Sequence, residues 1–352
     1  MRQVNALRAQ AAGFIETQFI ETQGSHMTTP RYDVIAIGNA IVDVMAPASD
    51  ELIAELGMAK GGMTLIDEAG ARDLYAAMGA GKEISGGSAA NTLAGLSALG
   101  AQCAFVGQVA DDQLGQVFAH DIRAVGIDFD TPPRSGEPST ARCLIFVTPD
   151  GQRTMNTFLG ASQFLPAAAL DEETIGGASI LYLEGYLWDP EEPRAAMRSA
   201  IEAAKGAGRK VAFTLSDGFV IARYGDDFRA LIDAGLIDIL FANEGELAAL
   251  TGESAFEAGL AALSGKVETL VVTRGEHGAV AIRKGAERAA VQAEPIAKVI
   301  DTTGAGDLFA AGFLFGTIRE EPLATCLRRG AIAAAEIISH YGARPEADLQ
   351  AL

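Results

Sequence analysis

The chain has 352 residues, 49% of them hydrophobic, enough for one large α/β core with a smaller appendage or for two ordinary domains. Its 27 basic and 46 acidic side chains leave a formal charge of −19, which disfavours nucleic acid or an anionic membrane surface as a non-specific partner, whereas a small phosphorylated ligand needs only a local positive site. No apolar run approaches the roughly 18 residues of a membrane span, no secretory signal pattern is visible, and Cys103, Cys143 and Cys326 are odd in number and far apart in apolar sequence, so a cytoplasmic protein with buried thiols is expected.

Gly24-Ser25-His26-Met27 reads as a vector-derived scar, and residues 1–27 are set aside as a leader. Tyr32 to Gly38 then reads as a buried, β-branched strand ended by glycine. Comparable strands are expected at Cys103 to Val109, Ser179 to Leu183, Lys210 to Leu215, Ile237 to Ala242 and Glu268 to Thr273. Alanine-rich helical segments such as Pro193 to Gly206 and Phe228 to Ala234 lie between them, an alternation that predicts a doubly wound, mostly parallel sheet flanked by helices. Two places differ in texture. Cys143 to Thr148, the turn Pro149-Asp150-Gly151, and Arg153 to Phe158 read as an antiparallel hairpin, and Val42 to Ala46 with Gly62 to Ile66 add two short strands. Together these predict a small inserted β-sheet that covers the site, the alternative being ordinary edge strands.

Polar residues stand out at several strand and helix ends. Asp43, in Gly38-Asn39-Ala40-Ile41-Val42-Asp43, is an acid in an apolar stretch, and such a carboxylate needs partners such as ligand hydroxyls unless it is a solvated loop acid. Gly86-Gly87-Ser88 opens a helix on which Ser88 and Asn91 share one face, which suits either a ligand hydroxyl or ordinary N-capping. Asn243 and Glu246 follow a strand at the edge where open α/β sheets bind ligands; hard oxygen donors for Mg²⁺ and a capping box explain the spacing equally well. Thr273, Gly275 and Gly278 form a glycine turn suited to lying along nucleotide phosphates, or a plain turn between strands. Asp301-Thr302-Thr303-Gly304-Ala305-Gly306-Asp307 precedes an apolar helix and places small residues and a carboxylate at a helix N-terminus, an anion site with a base attached. A P-loop pattern and a dinucleotide fingerprint are both missing, which disfavours a dehydrogenase on the same scaffold.

In this order the five motifs resemble those of the ribokinase-like, or PfkB, family of carbohydrate and nucleoside kinases, over about Tyr32 to Pro345. Within the family the resemblance is strongest to adenosine kinases, through Gly38 to Asp43, through Phe213-Thr214-Leu215-Ser216 with Phe219, and through Ile237 to Glu244. The resemblance implies a ribokinase-like fold, with residues 28–44, 69–137 and 162–352 in a large nucleotide-binding domain and 45–68 and 138–161 in a β lid. It implies Asp307 as catalytic base and Gly304, Ala305 and Gly306 as an anion hole. Asn39, Asp43, Gly86, Gly87 and Asn91 would hold the acceptor's sugar, with Tyr186 stacking on a base and Met63 and Leu65 beside it. Met63 stands where adenosine kinases often carry a glutamine, so recognition there would be apolar. Asn243 and Glu246 would organise Mg²⁺ through water, Thr273, Gly275 and Gly278 would line the ATP loop, and Arg153 would reach the transferring phosphate from the lid. Asp301 matches a monovalent-cation site, so K⁺ joins Mg²⁺ with ATP among the implied cofactors. The implied reaction moves the γ-phosphate of ATP to a primary hydroxyl, of adenosine first, of a sugar such as ribose, fructose or 2-keto-3-deoxygluconate otherwise; a non-catalytic nucleoside- or sugar-binding regulator is the rival. A monomer or homodimer is expected.

Overall fold

The computed structural model describes residues 30–284 and 287–351; the leader assigned to residues 1–27 lies outside them. The strands in chain order are β1 (Tyr32–Ile37), β2 (Ile41–Pro47), β3 (Met63–Leu65), β4 (Lys82–Gly86), β5 (Cys103–Val106), β6 (Ile127–Asp128) and β7 (Ala141–Val147). They continue with β8 (Arg153–Phe158), β9 (Ala178–Glu184), β10 (Lys210–Thr214), β11 (Ile239–Asn243), β12 (Thr269–Thr273), β13 (Ala279–Arg283) and β14 (Glu287–Val291).

Nine strands form the large sheet in the order β14–β13–β12–β11–β10–β9–β1–β5–β6. From β12 to β6 neighbours run parallel, and β13 and β14 add an antiparallel edge. Strand β1 is central and buried on both faces, which is why it reads as a continuous apolar run rather than an alternating one. Val34 and Ala36 face a core shared with Phe105, Phe118, Phe241 and Phe313, while Ile35 and Ile37 face a second core with Trp188, Phe213 and Phe228. After β1 the chain builds β5 and β6 on one side and only later β9 to β12 on the other. The order reverses between β1 and β9, the crevice where open α/β sheets take ligands.

The expected strands are present with shifted ends. The strand expected to reach Val109 stops at Val106, where Gly107 packs against Gly38: a Cβ there would sit 2.7 Å from the Gly38 carbonyl oxygen. The helix expected at Phe228 already begins at Gly218, capped by Asp217; Gly218 and Gly225 had masked its first turns.

The second sheet has five strands in the order β3–β8–β7–β2–β4, with β7 and β8 as the expected hairpin. Its extent differs from the lid boundaries read from sequence. β2 begins at Ile41, not after residue 44, and β4 (Lys82–Gly86), which had been placed in the large domain, pairs antiparallel with β2. Lys82 and Glu83 hid this strand, because an edge strand beside a buried one tolerates charge on its outer side. Alternation along β2 buries Val42, Val44 and Ala46 and turns Ile41 and Asp43 toward the cleft between the sheets.

Candidate active site

A cleft of about 620 Å³ opens between the carboxyl ends of the parallel strands and the second sheet. Asn39, Asp43, Met63, Leu65, Gly87, Ser88, Asn91, Tyr186, Asn243, Glu246, Thr273, Gly304, Ala305, Gly306 and Asp307 all line it. Gly86, Gly275, Gly278, Arg153 and Asp301 do not.

Asp307 sits in the first turn of the helix Ala305–Ile318. That helix is apolar all round because it is packed between the helices Ser88–Ala98 and Leu323–Ile337, with Gly95 leaving room for Leu308 and Ala311. Ser88 donates to Asp307 Oδ1 at 2.6 Å, and Asn91 Nδ2 donates to Oδ2 at 3.1 Å. The helical spacing of Ser88 and Asn91 thus converges on one carboxylate. Burial pushes the Asp307 carboxyl above its ordinary value, while these two donors and the charge of Arg344 pull it back. Gly304 is the N-cap at φ +79°, so no side chain competes for the exposed amides of the first turn. One of the three expected anion-hole amides is engaged here: Ala305 N–H donates to Thr302 O at 3.2 Å.

Asp43 lies beside the turn that leads into Ser88. A Cβ on Gly86 would come within 2.5 Å of the Asp43 carboxylate, which explains the glycine without placing it in the cleft wall. Burial raises the Asp43 carboxyl to about 6, against the charges of Arg344 and Arg153. Asn91 lines the cleft but is only 5% exposed, and its Oδ1 is buried with no hydrogen-bond partner among the described residues, an unmet acceptor behind the cleft wall.

Glu184 escaped the reading of the sequence. It ends β9, is fully buried, and accepts from Asn39 N (2.8 Å), Asn39 Nδ2 (2.7 Å) and Ala89 N (2.7 Å). Burial raises its carboxyl to about 7 even so. Its signal was a lone acid after an apolar strand, in Leu183-Glu184-Gly185, the logic that drew attention to Asn243. Ser216, at φ +69° in the wall of the cleft, was also not singled out as a site residue; its Oγ accepts from Gly185 N at 2.9 Å.

Asn243 and Glu246 form a complete capping box: Asn243 Oδ1 accepts from Glu246 N (2.8 Å), and Glu246 accepts from Asn243 N (3.0 Å) and Nδ2 (2.7 Å). Glu246 is nonetheless buried with no cation paired to it among the described residues, and burial, reinforced by Asp217, raises its carboxyl to about 7. A cation reached through water would relieve that cost, so this pair fits a hydrated divalent ion. Thr273 reaches the cleft from the end of β12. Gly275 and Gly278, at φ +55° and +80°, shape the turn behind it, where a Cβ on Gly278 would collide with the Val291 carbonyl.

Arg153 and Asp301 pair with each other at 2.6 Å, their side chains 7% and 5% exposed. Asp301 also accepts from Thr303 N (3.1 Å), Thr303 Oγ1 (2.8 Å) and Gly342 N (3.1 Å). The carboxylate expected at a K⁺ site is therefore saturated by protein donors and neutralised by a guanidinium, and the residues present do not fit a monovalent ion there. The lid arginine points at Asp301, not into the cleft.

The remaining wall is apolar and aromatic. Tyr186 and Phe219 hold their rings 6.0 Å apart at 37°, and Ile145 and Met155 line the cleft from the second sheet with Met63 and Leu65, which are 43% and 48% exposed, as does Leu159 just after β8.

Such a cleft on such a sheet defines a small-molecule enzyme of the doubly wound α/β class. Residues 38–349 match the pfkB family of carbohydrate kinases, and the chain belongs to that family. An adenosine kinase from Sinorhizobium meliloti is 46% identical, covers 91% of this chain and 98% of its own, and superposes with a TM-score of 0.84. A probable sugar kinase from Rhizobium etli CFN 42 is 42% identical, with 92% and 97% covered and a TM-score of 0.85. A fructokinase from Klebsiella pneumoniae is 29% identical over 235 residues, 66% of this chain and 76% of that relative. The fold is ribokinase-like, as these structures are, and among the described residues no helix is long and apolar enough to cross a membrane.

Proposed function

We propose that the protein transfers the γ-phosphate of ATP to the primary hydroxyl of a nucleoside, adenosine before others. The observation that carries the nucleoside reading is the tilted Tyr186–Phe219 ring pair facing an apolar second sheet. A flat base gains from such walls, whereas a hexose would leave its hydroxyls without partners against Ile145, Met155, Met63 and Leu65. Asn39, Asp43 and Asn91 line the same cleft and supply polar groups suited to the hydroxyls of a ribose. The family membership supports phosphotransfer, and the 46% identity to an adenosine kinase supports a nucleoside as acceptor.

In the mechanism we infer, the acceptor hydroxyl approaches Asp307, whose carboxylate takes its proton as the oxygen attacks the γ-phosphorus and the bond to the β-phosphate oxygen breaks. The glycine-capped N-terminus at Gly304 and Gly306 offers its amides to the charge that develops. Ser88 and Asn91 hold Asp307 in place throughout. Glu246 and Asn243 would hold Mg²⁺ through water, and the ion supplies charge neutralisation on the phosphates. No step uses a monovalent cation.

A panel of adenosine, inosine, ribose, fructose and 2-keto-3-deoxygluconate with Mg·ATP, read as phosphorylated product, tests this. Adenosine should lead in kcat/KM by about 100-fold or more. A sugar in first place would discard the nucleoside reading, and turnover of none would discard phosphotransfer.

A further inference from the structure

Three consecutive residues near the C-terminus brace the site from behind. Gly342 donates its N–H to Asp301, and Ala343 sits so close to Gly304 that a Cβ there would be 2.9 Å from its own Cβ. Arg344 then spends its guanidinium on both sides of the Gly86–Gly87 turn. Nε and Nη2 donate to Ser85 O (3.1 and 2.7 Å), Nη2 also reaches Ser85 Oγ (3.0 Å), and Nη1 donates to Ala90 O (2.7 Å). Ser85 is the penultimate residue of β4 and Ala90 lies in the first turn of the following helix, so one planar group fixes the segment that carries Ser88 and Asn91 to Asp307.

The same group is a charge in a place short of cations. Asp307 is faced by Ser88 and Asn91 from their helix, by the Asp43 carboxylate from β2, by Glu184 and the Tyr182 phenol from β9, by the Tyr186 phenol beyond it, and by Arg344. Arg344 also acts on Asp43, and burial lowers its own value to about 10, against the charges of Asp43, Asp307 and Asp121, which hold it up.

We propose that Arg344 is a positioning residue of the phosphotransfer site, locking the turn that presents Ser88 and Asn91 to Asp307 and standing as the fixed countercharge behind Asp43 and Asp307. Its kinetic consequence rests on the function proposed above; its electrostatic consequence does not. Backbone carbonyls alone need only a neutral donor, so the charge is what separates this role from simple bracing.

The test compares Arg344→Met, Arg344→Gln and Arg344→Lys with wild type. The carboxyl titration of Asp307 is read by NMR in protein carrying ¹³Cγ-labelled aspartate, its signal assigned by its loss in Asp307→Asn. In the Met and Gln variants the midpoint should rise by about one pH unit, ~tenfold in proton affinity, while Lys keeps it near the wild-type value. The acid limb of kcat/KM should move with it, with kcat at neutral pH falling about tenfold and KM for ATP changing less than about twofold. Midpoints unchanged in Gln or Met, or a Lys variant that behaves like Gln, would overturn the proposal. Should Met fail to fold, the Gln–Lys comparison decides. Should wild type transfer no phosphate at all, the function falls while the NMR titration still judges Arg344.

Discussion

Two helices begin at this site with the same local grammar and end up with different chemistry. Ser88–Ala98 and Ala305–Ile318 both start after a glycine at positive φ, Gly87 and Gly304, and neither has a side-chain cap. By contrast Asp112, Asp217 and Asn243 cap their helices with their own side chains. At the Ser88 helix the orphan amides already have an anion: Glu184, 95 residues away, accepts from Ala89 N. At the Ala305 helix no protein carboxylate takes that role among the described residues, and the first turn faces the cleft. A bare helix N-terminus is thus a site only where the fold withholds an internal acceptor.

The sharpest break of this comparison is Asp307→Asn. It keeps the shape of the open N-terminus and removes the base, so turnover should fall about 10³-fold with ATP affinity, measured by calorimetry, nearly unchanged. Near-normal turnover would remove Asp307 from the chemistry. The two glycines should separate next. Gly87→Ala drives a methyl into the Asn39 carbonyl at φ +97° and should cost about 3 kcal/mol or more in urea unfolding. Gly304→Ala, at φ +79° against Ala343, should cost about 1–2 kcal/mol and act mainly on turnover. Equal stability losses would mean that the two turns are not differently built.

The last effect, seen only as a change with pH, concerns the filled end. Burial raises the carboxyls of Asp43, Glu184 and Glu246 to about 6, 7 and 7, so the folded state binds these protons more tightly than the unfolded chain. Their contribution is therefore fully present below the unfolded carboxylate range and is lost as pH rises toward about 7. Glu184→Gln has no such proton to lose. Its stability deficit against wild type should narrow between about pH 4.5 and 7, by up to about 3 kcal/mol, in melting curves taken across that range. A deficit constant with pH would show that Glu184 is ionised at no cost.

Much of this was legible in the chain. β1 announced itself as a doubly buried apolar run, and Asp307 through small residues ahead of an apolar helix. Asn243 and Glu246 were placed at the right edge, although spacing alone left capping and metal binding level. What stayed hidden depends on distant contacts. Nothing near Glu184 or Arg344 tells that they meet the Ser88 turn, and nothing near Arg153 tells that its partner is Asp301. β4 was lost because an edge strand carries the charge of a loop.

The Arg153–Asp301 pair has a thermodynamic sequel. One guanidinium bridges the second sheet and the loop ahead of the helix Ala305–Ile318, shielded from salt by its burial. Its Nε finds no acceptor among the described residues, a shortfall of about 1–3 kcal/mol for a buried donor. A phosphate drawing that guanidinium toward itself would leave Asp301 uncompensated, so the two anions compete for a single cation. On the function proposed above, nucleotide affinity and the hold of the second sheet on the Asp301 loop would then trade against each other, each gain in one drawn from the other.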